Sequence, residues 1–228
     1  MKINSIEQTE KTTPWLKMYH AKYEHNGKNG DWYFASRSKG IPLDKPSKSV
    51  GVMVVPYHKI KEKLVVIKEF RIPLRDYEYS FPAGLIDDGE TPEIAAIREL
   101  KEETGLNVDK ITLISPASYS SAGLTDEALN IVFVECSGEI DYSDNGSSED
   151  IEVFLMGEKE IETLLKRQDV LFSAKFWCIA RTFFAELELK TLKNSPGRAS
   201  SNWKNWEVKP IPPRNIEDEW LGDGCRER

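Results

Sequence analysis

The stretch from Gly84 to Leu106 constrains this chain more than any other. Thr91 can cap a helix, Pro92 suits a first helical position, and Gly105 is a typical C-terminal stop. The stretch therefore predicts a helix from Pro92 to Thr104, about three turns long.

Three carboxylates project from one side of this predicted helix. Glu99, Glu102 and Glu103 are three and four residues apart, which places them on one side. Acids this close repel one another, and only Arg98 and Lys101 flank them. Clustered carboxylates on a rigid helix suit hard divalent cations that prefer oxygen ligands, above all Mg²⁺ or Mn²⁺.

The side of the helix away from the carboxylates carries large apolar residues. Ile94 and Ile97 point that way, so we expect this side to be buried against a core. The residues by themselves leave open whether the carboxylates bind a cation or form an ordinary solvated acidic face.

The spacing across the whole stretch resembles the Nudix box. Gly84 is followed after five residues by Glu90, and after seven more by the segment from Arg98 to Leu106. All nine defining positions are filled at fixed spacing, which makes the resemblance specific. It implies a loop–helix–loop that binds Mg²⁺, with Mn²⁺ as an alternative, and hydrolyses the diphosphate of a nucleoside diphosphate linked to another group.

Composition and charge argue against several classes of protein. Hydrophobic residues at 39% and charged residues at 30% are typical of a globular domain. The net charge of −7 argues against a general nucleic-acid surface. No apolar run could span a bilayer, and the N-terminus lacks a signal-peptide core. From the charge and the lack of a spanning run, we expect neither nucleic-acid nor membrane partners. The three cysteines are odd in number, widely spaced and without zinc spacing, which fits a reducing cytoplasm.

The order of the predicted elements indicates an α/β (α+β) fold. Strand candidates precede and follow the central helix, and two amphipathic helices come later. We expect a mixed β-sheet sandwiched between helices, which agrees with the Nudix fold. The candidates are the strands 49–57, 64–70, 111–117, 129–136 and 152–156, and the helices 158–167 and 172–189.

The two ends of the chain differ from its middle. An Asn-Gly-rich gap between aromatic segments at 15–24 and 31–38 predicts an N-terminal antiparallel β-hairpin, preceded by a flexible tail over residues 1–13. A hairpin buries little surface alone, so it must pack on the main domain or on a partner subunit. We divide the chain into an N-terminal hairpin segment (1–45), a Nudix hydrolase domain (46–192) and an irregular C-terminal tail (193–228).

Segments outside the box are similar to the ADP-ribose pyrophosphatase branch of the family. The resemblance rests on Lys68 to Arg71, on Phe81 to Glu90 and on the hairpin. It implies that Trp15 and Trp32 sandwich the adenine from different subunits of a domain-swapped homodimer, since an aromatic ring binds a base by stacking. Both tryptophans could also simply pack in a dimer core.

The same resemblance implies roles for other side chains. Arg37 and Arg71 match contacts to the phosphates and ribose, for which a guanidinium offers paired donors. Arg98 is expected to orient the carboxylates by salt bridges, and Glu90 to brace the loop–helix–loop. The implied metal ligands are the Ala83 carbonyl and the carboxylates of Glu99, Glu102 and Glu103.

The implied reaction is a direct attack of water on one phosphorus. Bound metal neutralises the charge on the diphosphate and lowers the pKa of water, and a carboxylate takes the proton. In this branch the base comes from a loop after the box, where Glu149 is the best positional match and Asp150 and Glu152 are alternatives. Glu102 and Glu103 complete the predicted catalytic set.

Two departures from the branch bear on the substrate. In the loop from Ser121 to Glu127, Gly123 is kept as a substrate contact, but Ala122 stands where relatives often have proline. Tyr33 stands where relatives can carry an acid that pairs with adenine. The leading prediction is ADP-ribose, cleaved to AMP and ribose 5-phosphate. Other nucleoside diphosphate sugars and oxidised nucleotides are alternatives, as is a non-catalytic ADP-ribose sensor, which the retained carboxylates disfavour.

Overall fold

The computed structural model describes residues 2–38, 40–45, 48–141 and 150–193. The chain divides into two compact units, residues 1–184 and 185–228, and of the second unit only the end of the last helix is described. The strands are β1 (Lys2–Thr12), β2 (Lys17–His25), β3 (Lys28–Ser36), β4 (Gly51–His58), β5 (Lys63–Arg71), β6 (Asp76–Ser80), β7 (Ala83–Leu85), β8 (Asn107–Ile114), β9 (Ser118–Tyr119), β10 (Ala128–Ser137), β11 (Ile151–Met156) and β12 (Leu171–Phe172). The helices are α1 (Pro92–Thr104), α2 (Glu158–Leu165) and α3 (Ala174–Lys193).

A nine-stranded mixed sheet forms the centre of the first unit. Its main order is β12-β6-β5-β4-β10-β8, and β11, β7 and β9 pair with β5, β4 and β10 respectively. β4 and β10 run parallel, while the other neighbours of β4 and β5 are antiparallel. All of β4 except Tyr57 is buried, as expected for a central strand covered on both faces.

The two faces of this sheet pack against different helices. Val52, Val54 and Val65 contact a core that includes Ala95 and Leu100 of α1, and we call this side the α1 face. The intervening strand residues, among them Met53, Val55, Leu64 and Val66, pack with Ile161 and Leu164 of α2 and Phe176 of α3 on the α2–α3 face. The alternation follows from the two-residue repeat of a strand. The sheet therefore lies between helices, which confirms the predicted fold class.

The predicted hairpin is also confirmed, but a third strand joins it. β2 and β3 pair from Lys17↔Ser36 to His25↔Lys28, and Asn26 and Gly27 both have positive φ, as a tight turn matched to the strand twist requires. The expectation of a flexible tail over residues 1–13 is wrong, because β1 pairs with β2 in an antiparallel sheet. β1 is polar along most of its length, so its pairing depends on backbone hydrogen bonds, which leave no pattern in the side chains.

Helix α1 begins and ends where the sequence predicts. The Thr91 side chain accepts a hydrogen bond from the backbone N–H of Ile94, and Gly105 ends the helix in a left-handed conformation with φ of 74°. The predicted buried side is wrong, because Ile94 and Ile97 are 51% and 46% exposed. Ala95 and Ala96 are fully buried instead. Small alanines let the helix axis approach the sheet closely, and this turns the two isoleucines outward.

Candidate active site

The carboxylates of α1 divide by burial. Glu99 and Glu103 lie on the buried side of the helix, at 9% and 3% exposure, whereas the Glu102 side chain is 52% exposed. Removing a carboxylate from water costs free energy unless a cation or hydrogen-bond donors compensate. Two acids on the core-facing side of a helix therefore indicate a site that gathers positive charge.

Glu99 lies directly against the backbone of β7. A Cβ added at Gly84 would collide with both carboxylate oxygens of Glu99, so only glycine leaves room for this carboxylate beside the strand. β7 is in turn held by β4, through the pairs Val52↔Gly84 and Met53↔Ala83. The Glu99 carboxylate is thus brought beside the strand that carries the Ala83 carbonyl.

Arg98 connects the loop before α1 to the acids on the helix. Its guanidinium donates to both oxygens of Glu90 at 2.9 and 2.8 Å and to the Leu85 carbonyl at 2.8 Å. Nη1 donates to Glu99 at 2.7 Å and to Glu102 at 3.2 Å. Arg98 therefore hydrogen-bonds to three carboxylates and to one strand, and it joins the loop before α1 to the acids of the helix.

These contacts stabilise the charged form of Glu90. The hydrogen bonds from Arg98, followed by one from the backbone N–H of Asp87 at 3.0 Å, lower the pKa of Glu90 to about 2. The bond to Glu90 is also the main reason why the pKa of Arg98 is raised. Both groups are charged at neutral pH, so the brace between loop and helix is an ion pair.

The donor set around α1 fits a hard divalent cation. It consists of carboxylates and the neighbouring Ala83 carbonyl, the oxygen ligands that such ions prefer. Among the residues that the structure describes, no three His, Cys, Asp or Glu side chains already converge in a ligand cluster. Glu102 points outward to Arg98, whereas Glu99 and Glu103 remain on the buried side.

A second group of predicted residues meets where β3 contacts the loop 121–127. The Trp32 indole donates to the Gly123 carbonyl at 3.2 Å, and Arg37 Nε donates to Glu127 at 3.0 Å. The backbone N–H of Ala35 donates to the Leu124 carbonyl at 2.8 Å. A cleft of about 250 Å³ is lined by Trp32, Phe34, Tyr119, Ala122, Thr125 and Asp126.

Among the residues that the structure describes, Trp15 is not one of those that line this cleft. It precedes β2 and is 78% exposed. Within one chain, therefore, the structure brings Trp32, Arg37 and Gly123 together and leaves Trp15 apart.

Arg71 lies at the end of β5 between two acids. Nη1 donates to Glu69 at 2.5 Å, and Nε lies 3.5 Å from a carboxylate oxygen of Glu78. Residues 65, 69 and 71 share one side of β5, so Arg71 is on the α1 face with Val65.

The two alternative bases, Asp150 and Glu152, are held on the α2–α3 face. The Tyr77 hydroxyl donates a hydrogen bond to the Asp150 carboxylate, and this bond is the main reason why the pKa of Tyr77 is raised. Glu152 accepts from Lys68 Nζ at 3.0 Å. Glu149 lies outside the described residues.

Sequence reasoning missed the residues that support the predicted contacts. Glu69, Glu78 and Glu127 each contact a predicted substrate arginine, and Lys175 Nζ donates to Ser120 at 2.8 Å near the same loop. Burial lowers the pKa of Lys175, and Glu127 opposes the shift. Glu78 reaches Arg71 through the pairing of β5 with β6, and Glu127 and Lys175 lie far along the chain from the groups they contact, so these contacts appear only in the folded structure.

The family assignment follows from this fold and from direct comparison. The NUDIX domain family matches residues 47–176, which is more than half of the chain. The chain therefore belongs to the Nudix family and is an enzyme, a Nudix hydrolase, which confirms the resemblance seen in the sequence.

Relatives extend the match beyond that domain. The ADP-sugar pyrophosphatase of Mus musculus is 31% identical over 197 residues, which cover 80% of this chain and 84% of the relative. The putative nudix hydrolase 2 of Caenorhabditis elegans is 32% identical over 161 residues, 68% of this chain and 72% of the relative. A crystal structure of an ADP compounds hydrolase has a TM-score of 0.65 at 23% identity, covers 85% of this chain and 96% of its own, and shows the shared fold.

No helix within the described residues has the length and apolar character needed to cross a membrane.

Proposed function

We propose that this protein is a Mg²⁺-dependent ADP-ribose pyrophosphatase, which converts ADP-ribose and water into AMP and ribose 5-phosphate. The observation that carries the proposal is the burial of Glu99 and Glu103 on the core-facing side of α1, with Glu99 against Gly84. The mouse relative, described as an ADP-sugar pyrophosphatase, supports the substrate class because the alignment covers most of both chains.

The ion would be held by Glu99, Glu103 and the Ala83 carbonyl, with Glu102 as a further ligand. Mn²⁺ prefers the same oxygen donors and is the alternative ion. When bound, the cation neutralises charge on the diphosphate and lowers the pKa of the attacking water. Arg98 orients Glu99 and Glu102, and its contacts to Glu90 and Leu85 support this role.

The substrate would lie between α1 and the cleft beside β3. Trp32 stacks on the adenine, Gly123 contacts the substrate in the loop beside it, and Arg37 and Arg71 donate to the phosphates and ribose. Trp15 comes from the second subunit of a domain-swapped homodimer. The exposure of Met18 and Tyr33 on the small sheet, and of Trp15 just before β2, supports a second copy of the chain as the partner of this surface.

Glu149 is our proposed general base. Asp150 and Glu152 are its alternatives, but Tyr77 and Lys68 hold both of them on the α2–α3 face. Because these contacts engage both alternatives, Glu149 remains our first choice, and Glu102 and Glu103 complete the proposed catalytic set.

The division into a hairpin segment (1–45), a Nudix domain (46–192) and a C-terminal tail (193–228) is part of the proposal, and the family match at 47–176 falls within its middle segment. We also place the protein in the cytoplasm. The free thiols of Cys136 and Cys178 support a reducing compartment.

The proposal is tested by hydrolysis of a substrate panel in Mg²⁺. The panel contains ADP-ribose, ADP-glucose, GDP-mannose, UDP-glucose, NADH and dinucleoside polyphosphates. We expect the highest kcat/KM for ADP-ribose, with AMP and ribose 5-phosphate as products. A higher kcat/KM for another compound would reject ADP-ribose as the preferred substrate, and tight binding of ADP-ribose without turnover would indicate a sensor.

A further inference from the structure

Two glutamates face each other in the central sheet. Glu69 of β5 and Glu78 of β6 are directly paired in the antiparallel register. Their side chains are only 13% and 19% exposed. Like charges opposite each other destabilise a sheet, and more so when they are removed from water. This pair therefore needs a cation beside it.

Arg71 supplies that cation. It follows Glu69 by two residues on the same strand and so shares its face. Nη1 donates to Glu69 at 2.5 Å, while Nε forms an ion pair with Glu78 at 3.5 Å. The two contacts hold a planar group at two of its three nitrogens, and neither engages Nη2.

The arrangement lies on the α1 face. Glu78 is on the opposite side of β6 from Tyr79, which packs with the α2–α3 core, and Glu69 and Arg71 alternate with Lys68 and Phe70. The guanidinium is therefore fixed on the face that carries Glu99 and Glu103.

We propose that Glu69 and Glu78 are positioning residues that hold Arg71 by Nη1 and Nε and present its Nη2 edge to the nucleotide substrate. The proposal rests on the substrate contact assigned to Arg71 above. Glu69 and Glu78 offset the positive charge of Arg71. Arg71 therefore serves the substrate mainly as a directed N–H donor. A lysine could not replace it, because an ammonium lacks the planar fork that reaches both acids.

Nuclear magnetic resonance tests the positioning without any substrate. The Nε–Hε signal of Arg71 is assigned by its absence in Arg71→Ala. We expect it to exchange slowly with water in the native protein, and to exchange faster and shift in Glu78→Gln and in Glu69→Gln. Glu135→Gln is the matched control, because Glu135 is a partly exposed strand acid that accepts from Lys59 at 2.8 Å. An unchanged Arg71 signal in both glutamine variants would overturn the proposal.

Steady-state kinetics with ADP-ribose test the link to the substrate. We expect Arg71→Ala to raise KM about tenfold or more, and Glu78→Gln to raise it about three- to tenfold, with kcat within about twofold. In the Arg71→Ala background, Glu78→Gln should change KM by less than about twofold, because it acts only through the arginine. An equal rise in KM with and without Arg71 would show a separate role for Glu78 and reject positioning.

The two readouts separate this inference from the proposed function. Absence of ADP-ribose hydrolysis in the native protein would reject the function, while the Arg71 signal would still decide whether the acids hold the guanidinium. Normal hydrolysis with an unchanged KM in Glu78→Gln would leave the function standing and overturn the inference.

Discussion

On the α1 face of the central sheet, β5 presents Glu69 and Arg71, whereas on the α2–α3 face the same strand presents Lys68. Both faces carry acid–base pairs at distances near 3 Å, such as Arg98 with Glu99 and Lys68 with Glu152. The difference lies in the surroundings. Glu99 and Glu103 of α1 are buried against the core, whereas the Glu152 side chain is 52% exposed. The two faces therefore differ in how far they remove carboxylates such as Glu103 and Glu152 from water.

Glu103→Gln should have the largest effect and most directly tests the comparison between the faces. The substitution keeps the size of the side chain but removes its charge and replaces one acceptor oxygen by an NH2 donor. We expect kcat/KM for ADP-ribose to fall by more than about 100-fold, because even partners outside the ligand shell contribute about 10- to 100-fold. Steady-state assays with a Mg²⁺ titration measure this, and circular dichroism checks the fold. Glu93→Gln, an exposed acid on the same helix, is the control; unreduced activity in Glu103→Gln would refute the metal role.

Gly84→Ala should have the next largest effect. The added methyl group would occupy the space of the Glu99 carboxylate, which is the movable end of a side chain. We therefore expect Glu99 to be displaced and activity to fall about 10- to 100-fold, while Tm falls only slightly. Thermal melts and kinetics on the same sample separate a loss of activity from a loss of stability. A large loss of Tm with proportionate loss of activity would mean that Gly84 serves packing alone.

Glu90→Gln tests the ion pair between Glu90 and Arg98 on the α1 face. The folded-state pKa of Glu90, about 2, lies below its ordinary value of 4.5. Charged Glu90 therefore stabilises the fold above about pH 4.5, and this stabilisation is lost as pH falls toward 2. We expect the variant to unfold more easily than the native protein at pH 7, with the difference shrinking between pH 4.5 and 2. Denaturation at several pH values measures this, and a difference independent of pH would contradict it.

Lys68→Gln should have the smallest effect, because it breaks an ion pair on the α2–α3 face. Lys68 Nζ contacts Glu152 at 3.0 Å and lies 4.5 Å from the centre of the Tyr77 ring. Exposed pairs of this kind contribute about 0–1 kcal/mol each. We expect the free energy of unfolding to fall by about 1 kcal/mol or less and kcat/KM to stay within about twofold. A loss of activity comparable to that of Glu103→Gln would remove the distinction between the faces.

The sequence by itself determined the local structure of α1 and the family. Thr91, Pro92 and Gly105 act within a few residues along the chain, so the bounds of the helix could be predicted from caps and stops alone. The Asn26-Gly27 turn specified its hairpin for the same reason. The helical repeat predicted Glu99, Glu102 and Glu103 on one side of α1, and the structure buries Glu99 and Glu103 there while Glu102 is exposed.

Only the tertiary structure decided which side of α1 is buried, that residues 2–12 pair as a strand, and which acids hold Arg71. Ile94 and Ile97 face outward because Ala95 and Ala96 bring the helix close to the sheet. Glu78 reaches Arg71 because β5 and β6 are paired in one particular register, which places residues from separate strands on one face. Such contacts depend on how elements pack against one another, and packing between distant segments leaves no local signal in the order of the residues.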